Sequence, residues 1–318
     1  MFESDHHSSA ATPLSKEGRK PLKAGKKDAV DPLYSPKKVA AAIGVSESSL
    51  KRWCDAGVVK AVKTPGGHRK ITRAEVISFV KTKNYRLRNP HSIGLPDINS
   101  VGFSSIDQAR ASFLTAMINA DAISSQKILY SLFIQGHNVA EIFDLVVSPA
   151  YLEIGAKRKR GELPVNHEQR AAEICHEALL KLKTIIPQVS PNSPVAIGVS
   201  LGENEFRLAT LGAELCLRNS GWSVTLLGAS GPINSLLEAV AELQPSVIVV
   251  SVGLIDDQTS FIAKLKELSE SVSALAKTVV ITVGAEVIEG EIRKQIPTAS
   301  CCQNFAQLVL ISVSASAG

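Results

Sequence analysis

The sequence has few cysteines, few aromatic residues and no long apolar run. Its five cysteines, among 318 residues, form no C-x-x-C pair. This argues for a reducing compartment and against a disulfide framework or a structural zinc site. No run approaches 18 apolar residues and the N-terminus lacks an apolar stretch, so we expect neither a membrane span nor a secretion signal. The length predicts two or three domains, and the composition is typical of a soluble globular protein.

Negative charge is scarce in the first third of the chain. Residues 1–100 hold 19 Lys and Arg against 9 Asp and Glu, whereas residues 101–318 hold 16 against 21. The balances are +10 and −5, which together give the net charge of +5. This asymmetry predicts a basic module that binds a polyanion, attached to a slightly acidic body.

Composition and periodicity divide the chain into five segments. The spacing of apolar residues in 104–187 is helical and predicts a four-helix bundle. Beyond it, short β-branched runs alternate with helical segments, which predicts a five-stranded, doubly wound parallel sheet of the flavodoxin-like type. We therefore predict an α/β multidomain protein with a disordered basic arm (1–33), a compact head (34–84), a linker (85–103), a helical bundle (104–187) and a parallel α/β domain (194–318).

The head has the pattern of a winged helix-turn-helix. PKKVAAAI predicts a first helix, Gly44 a turn, and Ser46 the N-cap of a second helix, ESSLKRWC. VVKAVKTPGGHRKI then predicts a hairpin with its tip at 65–67, followed by a third helix from Arg73 to about Lys81. We expect Trp53 to pack in the small core of this head.

Together these residues resemble the DNA-binding head of MerR-type and excisionase-like regulators. The resemblance rests on R-W-x-x-x-G at 52–57 and T-P-G-G-H-R at 64–69. It implies a recognition helix in the major groove of double-stranded operator DNA and a wing against the flanking backbone or minor groove. Cations on such elements neutralise phosphates, and short polar side chains reach base edges. The candidate contact residues are Lys37, Lys38, Ser48, Ser49, Lys51, Arg52, Lys63, His68, Arg69 and Lys70.

The bundle and the α/β domain resemble the cobalamin-binding pair of domains that follows a MerR-type head in light-responsive repressors of carotenoid genes. The shared motifs are I-G-x-x-x-x-x-G-E-L-x-V at 154–165 and L-R-x-x-G-W-x-V-x-x-L-G at 217–228. With the head, the resemblance covers nearly all of the chain outside the arm. It implies the fold of a sensor and oligomerisation region.

The residues that hold the cofactor in that family are altered here. The acid, His and Gly positions of the family's D/E-x-H-x-x-G motif fall on Glu203, Glu205 and Leu208. Imidazole nitrogen is the better cobalt ligand, and Leu obstructs the close approach that Gly permits. In the bundle, the family's Trp falls on Arg158 and its Glu-His pair on Glu168 and Gln169. We therefore expect this protein to bind no cofactor. Cobalamin is the first alternative, and haem is the second.

The function that these patterns favour is a transcription regulator of the repressor type. We expect a cytoplasmic, nucleoid-associated homo-oligomer with no membrane partner and no catalytic or metal-binding site, because no Ser-His-Asp set, H-E-x-x-H or P-loop is present. Two alternatives remain: a cobalamin-dependent light-sensing repressor, and a corrinoid-carrier component of an enzyme.

Overall fold

The computed structural model describes residues 31–200, 207–229, 233–251, 257–275, 280–284, 290, 294–296 and 299–316. Residues 1–30, most of the predicted arm, lie outside this range, as do Glu203 and Glu205. None of the helices in these ranges is long and apolar enough to cross a membrane.

The head is a winged helix-turn-helix, as predicted. Helix α1 (Pro36–Ile43) ends at Gly44, whose φ of 73° is readily adopted by glycine, and helix α2 (Glu47–Asp55) begins after the Ser46 cap. Strands β2 (Val62–Lys63) and β3 (Arg69–Thr72) form the wing hairpin. Helix α3 (Arg73–Lys83) follows directly, with Thr72 as its N-cap. The small core is formed by buried Val39, Ala42, Leu50, Ile71 and Ile77.

A short strand that the sequence pattern did not predict completes the wing sheet. Strand β1 (Leu33–Tyr34) pairs antiparallel with β3, and Leu33 lies opposite Thr72. A carboxylate oxygen of Asp31 accepts a hydrogen bond of 3.0 Å from the backbone N–H of Ala74. The head therefore includes Asp31, three residues before the predicted boundary.

The segment 85–103 packs closely between the head and the bundle. It contains two 3₁₀ helices, Pro90–Ile93 and Ile98–Ser100. The backbone N–H groups of Arg88 and Asn89 both donate to the carbonyl of Ala42, at 2.8 and 3.0 Å. Its apolar side chains extend the core of the head into that of the bundle: Leu87, Ile93, Leu95 and Ile98 are buried.

One side-chain contact also joins the head directly to the bundle. The Lys81 ammonium lies 3.8 Å from the ring centroid of Phe133, a cation–π contact. Desolvation in this position lowers the pKa of Lys81. The orientation of the head is thus set by packing as well as by chain connectivity.

The bundle consists of four helical segments. They are α4 (Ile106–Ile118), α5 (Ala122–Ile134), a third segment, and α8 (Val165–Lys183). The third segment runs as α6 (Val139–Ile142), one π-helical turn (Phe143–Val147) and α7 (Ser148–Lys159). Its core is built around buried Phe113, Met117, Leu129, Phe133 and Leu179.

The C-terminal domain is a five-stranded parallel sheet with helices on both faces. The strands are β4 (Val195–Ser200), β5 (Ser223–Ala229), β6 (Val247–Ser251), β7 (Val280–Gly284) and β8 (Ala299–Cys301). Their order is β5-β4-β6-β7-β8. The order 2-1-3-4-5 is that of a flavodoxin-like fold, which confirms the predicted class.

Alternation along each strand explains why the strands are apolar throughout. Ala196 packs on the face covered by α9 (Arg207–Asn219) and α12 (Phe305–Ser316), together with Leu217 and Trp222. Ile197 packs on the opposite face, covered by α10 (Ile233–Leu243) and α11 (Gln258–Leu275), together with Leu236. Successive residues of a strand point to opposite faces, so a sheet buried on both sides needs apolar residues at every position.

Candidate nucleic-acid interface and ligand pocket

The exposed side of α2 carries polar and cationic side chains around its N-terminus. The Ser46 hydroxyl caps the helix, accepting from the backbone N–H of Ser49 at 3.1 Å, and lies 3.0 Å from the hydroxyl of Ser48. Lys51 is exposed and forms an i,i+4 ion pair of 2.8 Å with Glu47. Arg52 is exposed, and no ion pair of this side chain occurs within the described residues. Ser49 is only half-buried by the cap, so all four predicted α2 residues reach the helix surface.

The wing tip is a tight turn closed by its own hydrogen bonds. The backbone N–H of Thr64 donates to the carbonyl of His68 at 2.9 Å, and the backbone N–H of Gly67 donates to the carbonyl of Thr64 at 2.8 Å. Gly67 has a φ of 77°, a conformation that favours glycine. The turn leaves His68 and, on β2, Lys63 exposed. These two predicted residues therefore extend from the body of the head.

Arg69 is bound within the protein. Its guanidinium pairs with the carboxylate of Asp55 through Nε, at 3.1 Å, and through a terminal nitrogen. The bridge joins the wing strand β3 to the last residue of α2. Asp55 is not predictable from the sequence as the partner of Arg69, since the two residues are 14 positions apart and no periodicity connects them.

An aromatic cluster fixes α2 against α3. The ring of Trp53 lies 5.3 Å from that of Phe79 and 5.6 Å from that of Tyr85, measured between centroids. Phe79 and Tyr85 stack at 5.2 Å. Aromatic pairs at these separations stabilise beyond the area they bury. The expected packing role of Trp53 is confirmed.

Two of the three bundle positions where the family resemblance places cofactor contacts are bound to each other. The Arg158 guanidinium forms an ion pair with the Glu168 carboxylate, joining α7 to α8. Gln169 is exposed. Leu208, at the start of α9, is half-buried and packs against the core of the bundle. Among the described positions where the family resemblance places cofactor contacts, ion pairing or packing engages Arg158, Glu168 and Leu208, and Gln169 is exposed.

The rest of the basic run at 157–160 is largely neutralised by nearby carboxylates. Lys157 and Arg160 both pair with Glu153 and Glu162. The hydrogen bond from Arg160 lowers the pKa of Glu162 to about 2. This arrangement matches a solvated, self-compensated surface rather than a second basic patch.

Two sets of polar contacts join the bundle to the α/β domain, in addition to the apolar packing between them. The carboxylate of Asp144 accepts hydrogen bonds of 2.9 Å from the backbone N–H groups of Phe305 and Ala306, which caps α12 from the bundle. Beside this cap, the rings of Phe143 and Phe305 lie 4.7 Å apart. Gly212 of α9 touches both: a Cβ there would lie 2.6 Å from Phe305 and 2.7 Å from Phe143.

The second set of polar contacts is centred on a buried carboxylate. Glu214 of α9 is 3% exposed, and its Oε1 lies 2.6 Å from Lys183 Nζ and 2.8 Å from Arg218 Nε. Lys183 is the last residue of α8, so the contact spans the two domains. A buried carboxylate needs such partners, because removing a charge from water is costly unless it is compensated.

The histidines do not form a ligand cluster in the described part of the chain. His137 lies 3.4 Å from a carboxylate oxygen of Glu141, on the surface of the bundle. His167 and His176 are half-buried positions of α8. No group of three or more His, Cys, Asp or Glu side chains suited to a metal ion occurs among the described residues.

The structure thus defines a winged helix-turn-helix head packed on a helical bundle and a parallel α/β domain. A family model described as a helix-turn-helix domain matches residues 33–84. The chain is 31% identical over 109 residues to the HTH-type transcriptional repressor CarH of Myxococcus xanthus, which is 34% of this chain and 36% of that protein. The match spans about a third of the length of that repressor.

The body has relatives of another kind. The chain is 26% identical over 162 residues to the trimethylamine corrinoid protein of Methanosarcina barkeri, covering 49% of this chain and 73% of that protein. Among solved structures, the monomethylamine corrinoid protein of Methanosarcina barkeri matches with a TM-score of 0.55 at 13% identity, over 66% of this chain and 99% of the other. The chain therefore combines a helix-turn-helix domain with a region that has the fold of a corrinoid protein.

Proposed function

We propose that this protein is a DNA-binding transcription regulator that acts as a repressor by occupying promoter DNA. The observation that carries the proposal is the arrangement of the head. The Arg69–Asp55 bridge holds the wing to α2, while Lys63 of the wing and Arg52 of α2 stay exposed. A helix of this kind fits the major groove, and the rigidly attached wing reaches the neighbouring backbone.

Further cations extend this surface. Lys37 and Lys38 are exposed in the first turn of α1, which contains no acidic residue. Backbone N–H groups and basic side chains at a helix N-terminus favour phosphate oxygens. Such contacts orient the head, as would phosphate contacts of Arg52 and Lys63, whereas Ser48 would read base edges.

Salt-dependent binding tests this function. Binding of the full chain to promoter DNA of its own operon is measured by fluorescence anisotropy across a salt series, for the wild type and for Arg52→Ala/Lys63→Ala. We expect log K to fall linearly with log salt, and the double variant to lose about 1.8 from the slope, since each phosphate contact contributes about 0.9.

A matched variant controls for the change in net charge. Lys264 and Lys266 are exposed on α11, far along the chain from the head, and Lys264→Ala/Lys266→Ala removes the same charge. Its slope should equal that of the wild type. Equal slopes for both double variants and the wild type would refute DNA binding through the head.

The residues present do not fit a corrinoid in the manner of the resembled family. Arg158 and Glu168 are paired with each other, and Leu208 packs into the bundle core. Making room for a corrinoid at these positions would break the Arg158–Glu168 ion pair and expose the side chain of Leu208. We therefore propose that the body has a structural and oligomerisation role and binds neither a corrinoid nor haem. We also propose that the protein acts in the cytoplasm, by binding DNA rather than by catalysis.

The visible spectrum decides this part of the proposal. The full chain is incubated with adenosylcobalamin, desalted and scanned, and the same is done with haem. We expect no bound chromophore. A stoichiometric cobalamin spectrum with a light-dependent change in oligomeric state would establish the light-sensing alternative instead, and a spectrum without light response would favour the corrinoid carrier.

A further inference from the structure

Arg88 lies in the segment that connects the head to the bundle, outside the elements expected to bind DNA. The backbone of this part of the segment is held against helix α1. The N–H groups of Arg88 and Asn89 donate to the carbonyl of Ala42, at 2.8 and 3.0 Å. Leu87 is buried, and its carbonyl accepts a hydrogen bond of 2.8 Å from the side-chain amide of Asn99. Arg88 is therefore carried by a backbone that is fixed on both sides.

The side chain of Arg88 lies over the turn between α1 and α2. A Cβ at Gly44 would overlap Arg88 Cδ and would lie 2.9 Å from its Nε and 3.2 Å from its Cγ. Glycine suits this turn because of its φ of 73°, and it also leaves the space that the arginine stem fills. Arg88 itself is exposed. Its stem thus rests on the turn while its charged end reaches solvent.

The guanidinium of Arg88 is not used inside the described part of the protein. Among the described residues it forms neither an ion pair nor a hydrogen bond. The adjacent end of α1 already has backbone donors, since the carbonyl of Ala40 accepts from the N–H groups of Gly44 and Val45 at 2.9 and 3.0 Å. A guanidinium carries five N–H donors in a planar fork. In Arg88 these donors remain available to an acceptor outside the chain.

The turn beneath Arg88 leads directly into the helix that fits the major groove. Ser46, two residues after Gly44, is the N-cap of α2, and Glu47 is the first residue of that helix. When a helix-turn-helix docks, the N-terminal residues of its second helix contact base edges and its first helix crosses the DNA backbone. A side chain that rests on the turn between the two helices then lies beside the phosphates that border the groove.

We propose that Arg88 binds a DNA phosphate beside the site that α2 reads. The planar fork can donate two parallel hydrogen bonds to the oxygens of one phosphate. Such a contact adds affinity and orients the head without reading sequence. It also extends the DNA surface to the connecting segment, whose buried Leu87, Ile93 and Leu95 pack in a core shared with the bundle. The inference rests on the proposed function and adds a contact from outside the head.

The test is the salt dependence of binding of the full chain to promoter DNA of its own operon, for wild type, Arg88→Gln, Arg88→Lys and Arg170→Gln. Glutamine keeps part of the stem over Gly44 and removes the charge, whereas lysine keeps the charge. Arg170 is exposed on α8 of the bundle, so Arg170→Gln makes the same chemical change away from the turn. We expect the slope of log K against log salt to be shallower by about 0.9 in Arg88→Gln, so that the advantage of the wild type shrinks about 3.5-fold between about 50 and 200 mM salt. Arg88→Lys and Arg170→Gln should keep the wild-type slope.

A wild-type slope in Arg88→Gln overturns the proposal, and so does an equal loss of slope in Arg170→Gln, which would show a general effect of net charge. Urea unfolding separates a packing role. If Arg88 only supports the turn, Arg88→Gln lowers the urea midpoint and the affinity but leaves the slope unchanged.

The proposed function is judged separately in the same experiment. If Arg52→Ala/Lys63→Ala loses slope and Arg88→Gln does not, the function stands and only the Arg88 contact is refuted. A wild type without affinity for the DNA refutes the function and, with it, the contact.

Discussion

Substitution of glycine by alanine is expected to affect stability differently at two glycines that lie in helices. Gly212 lies in α9 at the contact between the bundle and the α/β domain, where a Cβ would meet Phe305 at 2.6 Å and Phe143 at 2.7 Å. Gly155 lies in α7, where a Cβ would meet only a carboxylate oxygen of Glu168, at 3.9 Å. Gly212→Ala and Gly155→Ala therefore change the same helix propensity in different surroundings.

The magnitudes follow from two opposing effects. Replacing glycine by alanine inside a helix stabilises by about 0.5–1 kcal/mol, and both variants gain this. Only Gly212→Ala also forces two packed rings to move, and overpacking of this kind costs about 1–3 kcal/mol. We expect Gly155→Ala to stabilise by about 0.5–1 kcal/mol, and Gly212→Ala to be less stable than Gly155→Ala by about 1–3 kcal/mol, because the propensity gain cancels in that difference.

The assay is urea unfolding of the full chain, followed by circular dichroism and by tryptophan fluorescence. Trp222 is buried in the α/β domain and Trp53 lies in the head, so fluorescence reports on both regions. The reasoning about the interface is refuted if Gly212→Ala unfolds at the same urea concentration as Gly155→Ala, since the rings would then have room for the methyl group.

Three further substitutions test the connections within the molecule. Asp55→Ala and Arg69→Ala should each weaken specific DNA binding about 3–10-fold, with the double variant no worse, because both break one bridge; tighter binding by Asp55→Ala would show that Arg69 contacts DNA itself. Asp144→Ala should destabilise by about 1–2 kcal/mol in urea unfolding, through loss of the cap on α12, and an unchanged midpoint would contradict that role. The pKa of Glu162 is lowered from 4.5 to about 2 by Arg160, so its contribution is present above about pH 4.5 and is lost as pH falls through about 2. The melting temperatures of wild type and Glu162→Gln should therefore converge toward pH 2, and a gap that widens on acidification would refute the assignment.

Local signals in the sequence predicted the elements well where they were strong. Pro36, the Ser46 cap and Gly44 placed α1 and α2 within a residue of their observed bounds. The β-branched runs predicted the parallel sheet, because a strand buried on both faces must be apolar at nearly every position. These features are set by residues close together in the chain.

The parts that the sequence did not reveal depend on contacts between distant residues. Strand β1 has two residues, too few for any periodicity, and it exists because β3 offers a free edge. Asp144 caps a helix that begins 161 residues later, and no local pattern marks it for that role. For the candidate site, the sequence identified the exposed cations of α2 and the wing but missed Asp55, which holds Arg69.

DNA binding through the head is tested most directly by the salt dependence of binding to promoter DNA from the protein's own operon. Arg52 and Lys63 are the exposed cations on α2 and the wing whose loss should matter most. We expect a steep linear fall of log K with log salt in the wild type, and a slope shallower by about 1.8 in Arg52→Ala/Lys63→Ala. No affinity for that DNA, or the same slope in both proteins, would contradict it.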